Sequence, residues 1–398
     1  MRKQGKADFF QNVLKEGNMI FLHLADLHLG KRLHNFSLLE DQTHILQEIL
    51  HIVDEKKPDA VLICGDVYDK SIPPQEAVTL FDSFLTDLAK RKQPIFIISG
   101  NHDSPERLAF GANLMKMSDV YISSVYQKEM QPIPLKDAFG EINVYMLPFI
   151  KPIHVKNAFP DSAIESYTDA VKTALDAGNV DNQGRNILLA HQFVQGGMRA
   201  GSEDTTTIVG GLDNVSPSVF DAFDFVALGH LHSWQRVTRE GIQYAGTPLK
   251  YSLSERKDKK TVTLIDMQEK GNITYTRLPL VPMRDICHLK GTFQELMNLE
   301  FIRSQRLTNY FYITLTDELE IPDGKNKMSM HYENILQFEY DNQRTRANAS
   351  FEMAAEVEQK TPFQLFSDFF STQTGQSLTN AQETFVTTLI EKIWEVRE

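Results

Sequence analysis

A chain of 398 residues, 41% of them hydrophobic, is long enough for two or three domains and can bury a sizeable core. Its formal net charge of −12 at pH 7 argues against broad, nonspecific coating of nucleic acid but leaves room for a local basic groove. The two cysteines, Cys64 and Cys287, lie far apart and form no CxxC, which excludes a disulfide framework and fits a reducing cytoplasm; no apolar run reaches membrane-spanning length and no signal-peptide pattern opens the chain.

Residues 1–18 read as a leader, either disordered or the product of an upstream start, because the first apolar run begins at Met19-Ile20. Phe21 to Ala25 predicts a strand running into Asp26-Leu27-His28, and Gly30-Lys31-Arg32 follows as a turn carrying two cations. From Leu38 to Lys56, apolar residues recur at i+3 and i+4 (Leu38, Ile45, Leu46, Ile49, Ile52, Val53) and predict a helix that Pro58 stops. Val61 to Gly65 predicts a strand running into Asp66. Pro73-Pro74 opens a second helix whose apolar face is Ala77, Val78, Phe81, Phe84, Leu85 and Leu88. Pro94 precedes the strand Ile95 to Ile98, which runs into Ser99-Gly100-Asn101-His102-Asp103. This β-α-β-α-β order predicts parallel strands with right-handed crossovers.

Further on, the patterns predict a helix from Leu108 to Met117, a strand from Ile142 to Met146 and a helix from Tyr167 to Asp176. Ile187 to Ala190 is a strand running into His191, and the Gly-, Ser- and Thr-rich stretch Gln192 to Thr207 is a loop beside it. Phe225 to Gly229 runs into His230-Leu231-His232. Strands at Gln243–Ala245, Val262–Asp266 and Ile273–Arg277 read as antiparallel, because their connections are short. A boundary near Pro279–Pro282 separates a main domain over residues 19–281 from a smaller one over 282–340, where a strand–helix–strand rhythm starts at Arg284 and Tyr310 to Leu315 alternates apolar with polar. Residues 341–360 read as a polar linker, and 361–398 as two amphipathic helices. The first opens on Thr361-Pro362-Phe363-Gln364 and carries Phe363, Phe366, Phe369 and Phe370 on one face. The second opens at Asn380 with Glu383, and carries one stripe of Phe385, Leu389, Ile393 and Val396 beside another of Val386, Ile390 and Trp394.

Five buried strands thus end in hard oxygen or imidazole donors, and open α/β sheets put active sites at that carboxyl edge. The candidate ligands are Asp26, His28, Asp66, Asn101, His191, His230 and His232. Carboxylate, amide and imidazole without thiolate suit manganese, iron or zinc better than magnesium. Seven ligands exceed one open site, whereas two ions sharing one carboxylate account for the number and would clamp the attacking and leaving oxygens of a phosphoryl displacement, with a bridging hydroxide as nucleophile. Asp66 is the natural bridge, since its strand lies between the other two of the β-α-β-α-β unit. His102, one residue beyond Asn101, points away from the ligands in this reading, contacts the scissile phosphate and protonates the leaving oxygen, with Asp103 orienting it. Lys31, Arg32, Arg107 and Arg199 lie near these motifs and could meet phosphates.

The motifs Asp26-x-His28, Gly65-Asp66-x-x-Asp69, Gly100-Asn101-His102-Asp103, the lone His191 and Gly229-His230-x-His232 resemble the calcineurin-like metallophosphoesterase family. His191-Gln192-Phe193-Val194 and Tyr244 to Ser252 (YAGTPLKYS) resemble its nuclease branch. The resemblance implies an α/β fold: a two-layer αββα sandwich with a smaller α/β capping domain and C-terminal helices. It implies a dimanganese site, one ion on Asp26, His28, Asp66 and His232, the other on Asp66, Asn101, His191 and His230. It also implies exonuclease and hairpin-opening endonuclease action on double-stranded DNA ends in repair, recombination and replication, a homodimer, and a coiled-coil ATPase as partner docked by the tail. The alternative is a metallophosphoesterase acting on a small phosphodiester or phosphoprotein.

Overall fold

The computed structural model describes residues 17–199, 213–346, 363, 366, 367, 370, 371 and 378–395. They belong to two units that divide between Asp285 and Ile286. No helix among the described residues is long and apolar enough to cross a membrane.

The strands of the first unit are β1 (Met19–Leu24), a short hairpin of β2 (Arg32–Leu33) and β3 (Phe36–Ser37), β4 (Ala60–Cys64), β5 (Ile95–Ile98), β6 (Val120–Ser123), β7 (Ile133–Asp137), β8 (Gly140–Leu147), β9 (Arg185–His191), β10 (Phe225–Gly229), β11 (Gln235–Val237), β12 (Arg239–Tyr244), β13 (Thr261–Met267) and β14 (Ile273–Pro279). They build two six-stranded sheets, ordered β14-β13-β1-β4-β5-β6 and β11-β12-β10-β9-β8-β7. Side chains alternate faces along a strand, so each sheet offers one face to the other and one to helices. Phe21, Leu62, Cys64, Phe96 and Ile98 of the first sheet meet Ile142, Val144, Ile187, Leu189, Phe225 and Ala227 of the second in one buried layer. Tyr145, Leu147, Leu188, Ala190, Val226 and Leu228 face the other way, against Val155 and the helix Tyr167–Asp176. The helices α1 (Leu39–Lys56) and α2 (Gln75–Ala89) bury Ile45, Leu46, Ile49 and Val53, and Ala77, Phe81, Phe84, Leu85 and Leu88. The result is the expected αββα sandwich.

The β-α-β-α-β unit is parallel, and β4 lies between β1 and β5. Three local expectations change. Val78 is 43% exposed, so α2 buries a narrower face than its apolar residues suggest. The helix expected from Leu108 to Met117 is two short turns, Pro105–Leu108 and Ala112–Met115, broken where Gly111 takes a left-handed φ of 75°. The strand containing Gln243 pairs in parallel with β10 and antiparallel with β11, while β13 and β14 form their hairpin in the other sheet beside β1. The connection of residues 245–260 therefore crosses between sheets instead of closing a hairpin.

The second unit holds a parallel sheet of β15 (Ile286–Gly291), β16 (Tyr310–Leu315) and β17 (Ile335–Tyr340), with β16 in the centre. All six residues of β16 are buried, so its polar members are interior and not solvent-facing as the alternation implied. Thr314 meets this by donating to Glu339 (2.9 Å), with the His288 ring at 2.9 Å. Leu289, Leu296, Ile302, Phe311, Ile313, Met328 and Tyr332 form the core. The expected linker is folded onto this unit over residues 341–346: Asp341 accepts from Lys290 and Arg346, and the buried Asn342 amide donates to the Asp317 carbonyl (3.1 Å). Its remainder, 347–360, and the helix start at Thr361-Pro362 lie outside the described residues. A helix does run from Asn380 to Glu395, but its cap is one residue earlier than expected: Thr379 and Gln382 exchange the two bonds of a capping box.

The first unit is pinned at one end by a buried ion pair. The Arg185 guanidinium donates to both Asp137 oxygens (3.0 and 2.5 Å) and to the Gln268 and Gly140 carbonyls, tying three turns together. Asp137→Ala leaves that charge buried without its counter-ion, and should cost about 3–5 kcal/mol in a urea unfolding measurement.

Candidate metal centre

All seven candidate ligands lie where strands of the two sheets end. Asp26 and His28 follow β1, Asp66 follows β4, Asn101 follows β5, His191 closes β9, and His230 and His232 follow β10. The β1 and β4 ends are cross-tied: the Asp26 N–H donates to the Gly65 carbonyl (3.0 Å) and the His28 N–H to the Asp66 carbonyl (2.9 Å). Four of the seven take positive φ: Asp26 (54°), His28 (44°), Asp66 (48°) and His230 (104°). Such backbone costs energy in a non-glycine residue and persists only where the surroundings over-determine it. Here it curls each strand end inward, so that side chains from separate strands converge.

The glycines of the motifs make that convergence possible. A Cβ on Gly100 would lie 2.1 Å from Asp66 Oδ1, and one on Gly65 would lie 2.4 Å from His191 Nδ1. At Gly229 a Cβ would meet the Cys64 carbonyl oxygen at 2.0 Å and His191 Nδ1 at 2.7 Å.

The donors form two groups around one carboxylate. In the first, His28 Nε2 and His232 Nε2 face each other at 3.2 Å, and His28 Nε2 is 3.7 Å from Asp66 Oδ2. In the second, His191 Nε2 is 3.3 Å from the same Asp66 oxygen and 3.1 Å from Asn101 Oδ1, which lies 2.9 Å from His230 Nδ1. Asp26 Oδ1 is 4.0 Å from His191 Nε2, and both Asp26 oxygens accept from the His230 N–H (2.9 and 3.1 Å).

His102 does not point away from the ligands as its place in the sequence suggested. Its Nε2 is 4.0 Å from Asp66 Oδ2, and its donor atom clusters with those of His28 and Asp66 within 4.8 Å. Its Nδ1 faces the Asp69 carbonyl oxygen at 2.9 Å, so Asp69, quoted in the motif without a role, sets the ring. Asp103 accepts instead from the backbone N–H groups of Gly100 (2.9 Å), Val67 (3.2 Å) and Tyr68 (3.0 Å), clamping the β4 and β5 loops together. Lys31 donates to Asp69 (2.6 Å), whose Oδ1 is 3.8 Å from His28 Nδ1, and so stands at the rim of the centre. Arg32 and Arg107 are exposed. Arg199 pairs with Asp213 and lies over the Phe193 ring.

Burial holds His28 well below its ordinary pKa and His230 down at about 3, so both rings are neutral and offer a lone pair. Burial opposes charge on His191 too, but the Asp66 and Asp26 carboxylates outweigh it and raise that ring to about 9. Burial likewise opposes ionisation of Asp66, and the rings of His191, His28 and His102 overcome it and hold the carboxyl well below its usual range. Burial and the Asp66 charge push Asp103 up to about 6. Divalent ions fit this cluster: its donors are oxygen and imidazole nitrogen, and two ring nitrogens converge at 3.2 Å beside the Asp66 carboxylate. The His191 proton must leave before its nitrogen can serve as a ligand, so ion uptake and proton release are linked.

The glycine contacts generate a direct test. Gly229→Ala puts a methyl group into the Cys64 carbonyl, a backbone atom that cannot swing aside. Divalent-ion binding by titration calorimetry should fall at least tenfold, with a lowered unfolding midpoint, whereas Gly271→Ala, at an open turn, should retain wild-type ion binding.

The chain matches the calcineurin-like phosphoesterase family over residues 19–234 and the type 5 capsule protein repressor C-terminal domain over residues 282–374. It is 32% identical over 372 residues to the SbcD subunit of the SbcCD nuclease from Staphylococcus epidermidis, covering 92% of this chain and 96% of that one. Two solved structures are more distant. TT1561 of Thermus thermophilus gives a TM-score of 0.39 at 13% identity, covering 65% of this chain and 99% of its own. A dimetal phosphatase from Danio rerio gives 0.39 at 13%, covering 67% and 99%. The chain therefore belongs to the calcineurin-like phosphoesterase family, and within it to the SbcD proteins of SbcCD nucleases.

Proposed function

We propose that the chain is the nuclease subunit of an SbcCD complex, a metal-dependent DNA exonuclease and hairpin-opening endonuclease that acts on double-stranded ends in DNA repair, recombination and replication in the cytoplasm. The observation that carries this reading is the single oxygen, Asp66 Oδ2, that both imidazole groups approach, with His102 Nε2 facing the same atom. Asp26, His28, Asp66 and His232 would hold one ion, and Asp66, Asn101, His191 and His230 the other. The ions, manganese in this reading, supply charge stabilisation and water activation when bound.

The chain's own groups do the rest. His102 contacts the scissile phosphate through Nε2 and protonates the leaving oxygen, while the Asp69 carbonyl keeps Nδ1 protonated. Asp103 holds the loops that carry Asp66 and His102 in register. Lys31, Arg32 and Arg107 neutralise neighbouring strand phosphates. Residues 282–340 act as a capping domain that positions duplex DNA, and the tail docks an SbcC-type coiled-coil ATPase. Exposure along the last helix supports docking: Phe385 is 68% and Leu389 47% exposed, while Val386 of the neighbouring stripe is buried. A homodimer is part of this reading, and the exposed Phe110, Leu114 and Met117, which follow the Asn101–Asp103 motif, favour it.

Cleavage of linear and hairpin DNA with manganese, against a small chromogenic diester, tests the assignment. Preference for the diester, with DNA left intact, would establish the alternative of a small-substrate phosphoesterase. Asp66→Ala should abolish cleavage and weaken binding of both ions; two ions still bound by metal analysis, with near-normal cleavage, would overturn the bridging role. His102→Gln should keep both ions by metal analysis while single-turnover cleavage falls about 10²–10⁴-fold; loss of an ion instead would make His102 a ligand. Deleting residues 361–398 should leave manganese-dependent cleavage intact and abolish co-purification with SbcC.

A further inference from the structure

Beneath the His28–His232 half of the centre lies a buried polar cluster built by the Tyr244–Ser252 stretch and the residues just beyond it. Glu255 sits on the short turn Leu253–Lys257 and is fully buried. Its Oε2 accepts from Lys260 Nζ (2.5 Å) and from the Thr247 hydroxyl (3.3 Å). Its Oε1 accepts from the Tyr251 N–H (3.3 Å) and lies 3.7 Å from His232 Nδ1. The Lys260 ammonium also donates to the Thr247 hydroxyl (2.7 Å) and to the His232 carbonyl (2.9 Å), which accounts for all three of its N–H bonds. His232 is thus held by its ring and by its backbone.

The same segment reaches the other ring. The Tyr251 hydroxyl donates to the Leu27 carbonyl (2.6 Å) and stands 3.3 Å from Gln42 Nε2. Gln42 donates to the His28 carbonyl (2.7 Å) and accepts from the Gly30 N–H (3.0 Å). The Tyr251 ring lies edge-on to both His28 and His232, at centroid distances of 5.6 and 6.2 Å.

We infer that Glu255 is a positioning residue: with Lys260 and Tyr251 it forms a clamp that fixes His28 and His232 and makes their ion position the more strongly supported of the two. The inference rests on the dinuclear reading above and deepens it. A carboxylate behind Nδ1 keeps the proton on that nitrogen, presents the Nε2 lone pair to the ion and makes the ring a better donor. Across the centre, His191 Nδ1 is backed by the neutral Cys64 carbonyl (2.8 Å). The two halves therefore differ in kind: one is backed by a charge, the other by a dipole.

The test titrates the full-length, metal-free chain with Mn²⁺ alone, following stoichiometry by calorimetry and the spin-coupled pair by electron paramagnetic resonance. Glu255→Gln keeps the shape and removes the charge, but it strands Lys260. The variant Glu255→Gln with Lys260→Met removes both charges at similar volume and so keeps the fold, checked by circular dichroism. The wild-type chain should take up two ions. The double variant should keep one at near wild-type affinity and bind the second about 10–100-fold more weakly, losing the coupled signal at concentrations where the wild type shows it. A folded double variant that binds both ions at wild-type affinity overturns the clamp alone. A wild-type chain that never binds a second ion overturns the dinuclear reading, and the clamp with it.

Discussion

One buried carboxylate sets the terms for the larger unit. Asp66 is 2% exposed and ionised, and an isolated charge at such a position would be prohibitive. Its Oδ1 accepts the His102 N–H (2.9 Å), and its Oδ2 is surrounded by the His191, His28 and His102 rings. Two sheets must end at the same place for that to happen. The inter-sheet layer brings β4 against β9 and β10, and glycines at 65, 100 and 229 let the strand ends close to distances that any Cβ would forbid. The fold's apolar layer and the site's polar chemistry are therefore one problem, solved by the placement of a single side chain.

Much of this could be read from local pattern, and the reason is physical. A strand that ends in a ligand writes its signal in consecutive residues, as Val61 to Asp66 and Phe225 to His232 do. Likewise Tyr167–Asp176 is a helix whose periodicity and Ser166 cap are self-contained. What local pattern misses is decided by partners distant in sequence. Gln243 pairs in parallel with Ala227 within one sheet and the chain then crosses to the other to form β13, a route that local pattern could not distinguish from a hairpin. Tyr312 and Thr314 lie on a central strand whose faces are both covered, and neighbours distant in sequence meet them, as His288 and Glu339 meet Thr314. Asp103 looked like a partner for its neighbour His102, yet its oxygens are claimed by backbone groups that include Val67 and Tyr68 of the distant β4 loop. Left-handed φ at Asp26, His28, Asp66 and His230 falls on residue types that tolerate it better than most, but which Asp or His adopts it is set by the convergence of the strand ends and not by local pattern.

The segment Tyr244 to Ser252 shows the middle case. It stood out in the sequence as a mark of the nuclease branch, but nothing in its composition disclosed a purpose. Its position supplies one: Thr247 and Tyr251, with Glu255 and Lys260 just beyond, underlie one half of the centre. Residues that touch no substrate can be as tightly specified as ligands when they fix the tautomer and angle of those ligands.

The acidity of the chain also acquires a local meaning. A net charge of −12 repels a polyanion at long range, and the inner donors add two carboxylates that the charged His191 ring offsets only in part, His28 and His230 being neutral. Lys31, a cation at the rim, is already paired with Asp69. Without divalent ions the bare centre would therefore repel a phosphate; with two ions facing two inner carboxylates, the local balance turns positive. In the proposed reading, binding of the scissile phosphate and its hydrolysis then share one requirement. On that reading, ions that would activate water would also make the site attractive to DNA, and without them the inner carboxylates would disfavour it.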